Sequence, residues 1–89
     1  MKIKSGFVLE EVGGSYIAVA VGKRAEEFRV LIRLNSSGAF LWRAIENNDL
    51  SEAALADLLV DTYGIDHSLA ERDVHTFTAK LTEAGLLDA

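Results

Sequence analysis

The chain has 89 residues, with 9 Lys and Arg against 14 Asp and Glu, a formal net charge of -5 and 49% apolar residues. That length holds one hydrophobic core and hence one domain, residues 1–89, and the apolar fraction is too high for a disordered chain. With no Cys and no Pro, disulfides, thiolate metal centres and Pro-rich linkers are excluded.

The basic start, Met1-Lys2-Ile3-Lys4-Ser5, has no apolar run behind it of the length a signal peptide needs. The longest apolar run, Tyr16 to Val21, is far short of the roughly 20 residues that span a bilayer. A cytoplasmic domain without a membrane partner is expected. The charge is unevenly placed. Residues 1–34 carry six bases and four acids, net +2, whereas residues 35–89 carry three bases and ten acids, net -7. The hydrophobic period changes at the same seam.

Phe7 to Val12 and Tyr16 to Val21 are rich in β-branched and aromatic residues and read as strands. Gly13-Gly14 between them accepts the positive φ of a tight hairpin turn. Gly22 to Glu27 reads as a polar loop. A third strand follows from Phe28 to Leu34. Its even positions, Phe28, Val30, Ile32 and Leu34, form an apolar face, and its odd positions set Leu31 between Arg29 and Arg33.

Three helices are predicted after it. Asn35-Ser36-Ser37 supplies N-cap chemistry, Phe40, Leu41, Ala44 and Ile45 recur at helical spacing with Trp42 beside that stripe, and Asn47-Asn48-Asp49 ends the first helix. Ser51 caps the second, with Leu50 placed to staple onto Leu55; Leu55, Leu58, Leu59 and Thr62 form its inner face, and Gly64 stops it. Ser68 and Glu71 form a capping box for the third, whose stripe is Ala70, Val74, Phe77, Leu81 and Ala84. Gly85 suits a Schellman turn, with Leu86 placed to contact Leu81. Strands first and helices after argue for an α+β domain: a three-stranded antiparallel sheet followed by a three-helix bundle, the outline of a winged helix-turn-helix.

Catalytic chemistry is not signalled. His67 and His75 have no Cys to activate, no Ser sits in a nucleophile elbow, and Gly13-Gly14 lacks the residues of a phosphate-binding loop. Glu71 and His75 share a helix face at a spacing that could hold two metal ligands, but no third ligand is placed and such a pair is common helix decoration. His67, just before the third helix, reads as a solvated loop residue. No catalytic residue, metal or cofactor is expected. Duplex binding would need a basic recognition helix. The third helix carries Glu71, Asp73 and Glu83 against Arg72 and Lys80, and the Gly13-Gly14 wing is flanked by Glu10 and Glu11. Nucleic acid is disfavoured.

The third strand is the most informative segment. In this element order it lies at a sheet edge with no Pro to protect it. Arg29 and Arg33 fit the ordinary role of charges that defend an edge. They equally fit an edge left open for a peptide to join as a further strand, with Leu31 meeting an apolar side chain and the guanidinium groups binding acids. The residues alone leave both readings open.

The run Gly13-Gly14-Ser15-Tyr16-Ile17-Ala18-Val19 and the stretch Leu34-Asn35-Ser36-Ser37-Gly38-Ala39-Phe40-Leu41-Trp42 resemble the PqqD family, also called the RiPP recognition element. Its members show a strand, then Leu-Asn, two variable residues, Gly-Ala and an aliphatic-aromatic pair at the start of the first helix. Gly85-Leu86-Leu87 matches its usual late Gly-Leu-Leu, and the likeness runs from Ile3 to Leu87. The resemblance implies a peptide-binding winged-helix module. The leader segment of a ribosomally made precursor peptide would lie antiparallel to the third strand, between it and the third helix, and be presented to a modifying enzyme, a radical SAM protein, protease or cyclase. Carried onto this chain, the strand wall is Arg29, Val30, Leu31, Ile32 and Arg33, and the helix wall is Arg72, His75, Thr78, Ala79 and Thr82, for which plain solvent exposure is the alternative. Leu34, Gly38, Phe40 and Trp42 read as fold residues. Two other functions fit the outline: a winged-helix nucleic-acid-binding domain of a transcription regulator, and an adaptor that docks on an enzyme through its acidic helices without binding peptide. A monomer or weak homodimer is expected.

Overall fold

The computed structural model describes residues 1–27 and 32–88. Nine elements follow in order: β1 (Lys2–Ile3), β2 (Phe7–Val12), β3 (Ser15–Ala20), α1 (Arg24–Glu27), β4 (Ile32–Leu34), α2 (Ser36–Glu46), α3 (Glu52–Tyr63), α4 (His67–Ala84) and β5 (Leu87–Asp88), counted among the described residues. The expected α+β architecture is present, a three-stranded antiparallel sheet followed by helices.

The hairpin of β2 and β3 is closed by Gly13 and Gly14, with φ of 56° and 83° and Val12 paired to Ser15. Positive φ at both central residues is the signature of a type I′ turn, whose twist matches that of the flanking strands. β3 is central, bounded by β2 on one side and β4 on the other. Along β4, Ile32 and Leu34 are buried and Arg33 is exposed, the parity read from the sequence. Phe28, Arg29, Val30 and Leu31, the first four residues of the predicted third strand, lie outside the described residues.

Two features depart from the sequence reading. Where a loop was expected, α1 forms a single turn: Ala25 and Glu26 donate to the carbonyls of Gly22 and Lys23, and Arg24 Nε donates to the Ser5 carbonyl at 3.0 Å. A second sheet joins the two ends of the chain, with Lys2 opposite Asp88 and Ile3 opposite Leu87. The Met1 ammonium extends this clasp to Asp49 Oδ1 (2.5 Å) and the Leu50 carbonyl (2.7 Å), and its hydrogen bond and charge hold the Asp49 carboxyl below the usual aspartate range.

The helices bury one stripe each. Asn35 Oδ1 accepts from Gly38 N–H (2.8 Å) and caps α2; Ser51 Oγ accepts from Ala54 N–H (3.1 Å) and caps α3. Trp42 stands in the centre of the core at 0% exposure rather than beside the stripe, and Phe40 is half-buried, meeting Tyr63 edge to face at 5.6 Å. On α3 the inner face is Leu55, Ala56 and Leu59; Leu58 and Thr62, expected inside, are exposed. That helix turns a narrower stripe to the core than its Leu content suggests.

On α4 the expected stripe is buried, with Ala84 at its margin. Its start differs. Asp66 occupies the N-cap and the helix begins at His67, so the Ser68–Glu71 box does not form. Ser68 Oγ donates back to Asp66 Oδ2, while Glu71 reaches His67 Nδ1 at 2.7 Å. An acid two residues ahead of Ser68 takes its hydroxyl, and the cap lies upstream at Asp66. The far end is a Schellman turn: Gly85, at φ 79°, donates to Thr82 O, and Leu86 donates to Leu81 O, each at 3.0 Å. Leu81 and Leu86 are both fully buried in the core. No described helix is long and apolar enough to cross a membrane.

Candidate functional site

β4 has a partner on one side, and among the described residues nothing pairs with its other edge. Alternate residues of a strand turn their N–H and C=O groups to opposite neighbours. The Arg33 carbonyl accepts from Lys80 Nζ of α4 at 2.9 Å, which places the main-chain groups of Arg33 on this open side.

Beside that edge lies a cavity of about 550 Å³. Leu34, Leu41 and Phe77, all buried, make its apolar floor. Arg33, Asn35 and Ser37 form one polar wall, and Asp73, Thr76 and Lys80 of α4 the other. Gly14 and Ser15 of the hairpin close one end. The Leu34-Asn35-x-x-Gly38 stretch builds the corner where strand becomes helix. A Cβ on Gly38 would stand 3.1 Å from Asn35 Oδ1 and 3.2 Å from Leu34 Cβ, so glycine there lets the capping amide and the strand end approach the first turn of α2. Leu34, Gly38 and Trp42 therefore act as fold residues, with Leu34 and Gly38 also lining the cavity.

Of the strand residues expected at the site, Arg33 lines this cavity and Ile32 is buried in the core; Arg29, Val30 and Leu31 lie outside the described residues. The expected helix residues are placed elsewhere. His75, Thr78, Ala79 and Thr82 line a separate cavity of about 760 Å³, walled by Met1, Glu52, Glu83, Leu87 and Asp88, and Arg72 lines neither. Thr78 Oγ1 donates to Glu52 Oε1 at 2.6 Å, and His75 Nδ1 stands 3.6 Å from the same oxygen. The α4 stripe Val74, Phe77 and Leu81 has two flanks. Residues one position later face α3 and the chain ends, whereas Asp73, Thr76 and Lys80, one position earlier, face β4. Periodicity reveals the stripe but does not say which flank meets which neighbour. The signal within reach was Lys80, the base of a flank whose other residues are Asp73 and Thr76.

The Glu71–His75 spacing is not used as a pair. Glu71 meets His67, whose Nε2 lies 3.4 Å from Asp57 Oδ1, and His75 turns to Glu52. His67 is thus a helical residue between two carboxylates rather than a loop residue. Among the described residues no group of three or more His, Asp or Glu side chains is placed to hold a metal ion.

Comparison with curated protein sequences gives no match. A solved structure described as "TbiB1 in Complex with the TbiA(beta) Leader Peptide" is similar over 100% of this chain and 96% of that chain, with a TM-score of 0.75 and 20% sequence identity, a likeness of fold. Residues 6–87 match the family described as Coenzyme PQQ synthesis protein D (PqqD). That span takes in the hairpin, the strand-to-helix corner and all three long helices, and the chain belongs to the PqqD family.

Proposed function

We propose that this chain binds the leader segment of a ribosomally made precursor peptide as an added strand on β4, in the groove between β4 and α4, and presents it to a modifying enzyme. The observation that carries the reading is the open β4 edge beside a cavity with an apolar floor and polar walls. Main-chain pairing supplies affinity in such strand addition, and pockets for alternate side chains supply selectivity. Membership of the PqqD family and a similar fold seen with a leader peptide support it.

Each leader side chain fully enclosed over Leu34, Leu41 and Phe77 contributes roughly 1.5–3 kcal/mol, and main-chain pairing adds to this, less the cost of ordering the peptide. The enzyme served is of the radical SAM, protease or cyclase class. Titration with a synthetic leader from a precursor encoded beside this gene, followed by backbone amide NMR, tests the reading. Signals of residues 32–35, Thr76, Phe77 and Lys80 should move more than those of Thr78 and Thr82. If the groove signals stay in place while another region shifts, the assignment of the groove is wrong.

A further inference from the structure

Resting on that peptide-binding reading, we infer that Lys80 is a charge-reading latch on the β4 edge, and that the groove selects a leader with Asp or Glu at a residue next to the one opposite Arg33, whose side chain turns to the α4 face. Lys80 Nζ reaches across the groove to the Arg33 carbonyl at 2.9 Å. That carbonyl, on the unpaired side of β4, is the acceptor an incoming strand would use. The latch therefore guards the edge in a chain that has no Pro to do so.

Strand addition displaces the ammonium or makes it share the acceptor. The displaced ammonium stands exposed at the rim of the groove, free to pair with a charge on the incoming peptide. A carboxylate on the peptide gives it a charge-assisted partner in place of the Arg33 carbonyl. Asp73 sits seven residues earlier on the same flank of α4, about 10 Å away at 1.5 Å per residue. The groove is thus polarised: acids are drawn to its Lys80 end and repelled from its Asp73 end, which fixes register as well as selectivity.

The test uses fluorescein-labelled leader peptides from the precursor encoded beside this gene, synthesised with Glu, Gln or Lys at the residue next to the one opposite Arg33, on the α4 face. Binding by anisotropy is compared on the wild-type chain, Lys80→Met and Lys80→Gln. Lys80 is exposed, so the variants should fold, which circular dichroism checks. The wild type should prefer Glu over Gln by about tenfold and bind the Lys peptide most weakly. In both variants the Glu preference should fall to about twofold or less, and the Gln peptide should bind no more weakly than to the wild type because no latch has to open. A tenfold Glu preference that survives in Lys80→Met overturns the latch, as does wild-type binding that ignores the charge at this position. A wild-type chain that binds none of the peptides overturns the leader-binding reading itself, and the latch with it.

Discussion

The two flanks of α4 are made from the same helix and separated by two residues of register, yet they face different chemistry. The Asp73, Thr76 and Lys80 flank looks onto a strand with an unused edge, where main-chain acceptors and mixed charge are on offer. The His75, Thr78, Ala79 and Thr82 flank looks onto α3 and the clasped chain ends, under a rim carrying Glu52, Glu83 and Asp88. What surrounds the second flank is α3 and the β1–β5 clasp, and its polar groups are partly committed to each other, as Thr78 is to Glu52. The difference teaches that a helix's neighbour, more than its own composition, decides what chemistry each of its faces meets.

The largest effect should come from the residue both flanks share. Phe77 is 5% exposed and floors the β4-side groove, so Phe77→Ala should cost about 3–5 kcal/mol of stability, much of what a domain of this size possesses. Urea denaturation should show it as a lowered midpoint with an unchanged slope.

A more selective break is Thr76→Trp against Thr82→Trp, both at exposed positions where stability should hold within about 0.5 kcal/mol. An indole at 76 fills the β4-side groove, and leader affinity should fall about tenfold or more; at 82 it lies on the other flank and affinity should change less than about twofold. Equal losses from the two would erase the distinction between the flanks.

The smallest effect is expected at Thr78. Thr78→Val removes the hydroxyl that donates to Glu52 while keeping the side-chain shape, at a cost of about 1 kcal/mol. Thermal unfolding should fall by about 4–8 °C, with leader binding unaltered below the transition.

Much of the fold was legible because it rests on local chemistry. The Gly13-Gly14 turn, the caps at Asn35 and Ser51, the stop at Gly85 and the buried parity of Ile32 and Leu34 all follow from residues a few positions apart. The cavity beside β4 was legible only in part. The exposure of Arg33 follows from the alternation of a strand, but that Lys80, Asp73 and Thr76 line the same cavity does not, because the direction a helix flank faces depends on how the helix crosses the sheet.

By itself, then, the sequence determined the order of the β2–β3 hairpin, β4 and the three long helices, and the ends of the hairpin strands and long helices to within a residue or two, since turn, cap and stripe are short-range properties of the chain. Tertiary structure alone decided the rest. It paired Lys2 and Ile3 with Asp88 and Leu87, two-residue strands too short to leave a period and at opposite ends of the chain. It drew Trp42 from beside its stripe into the centre of the core. It also turned the Lys80 flank of α4 toward the open edge of β4, a choice made by packing between elements that no local pattern encodes.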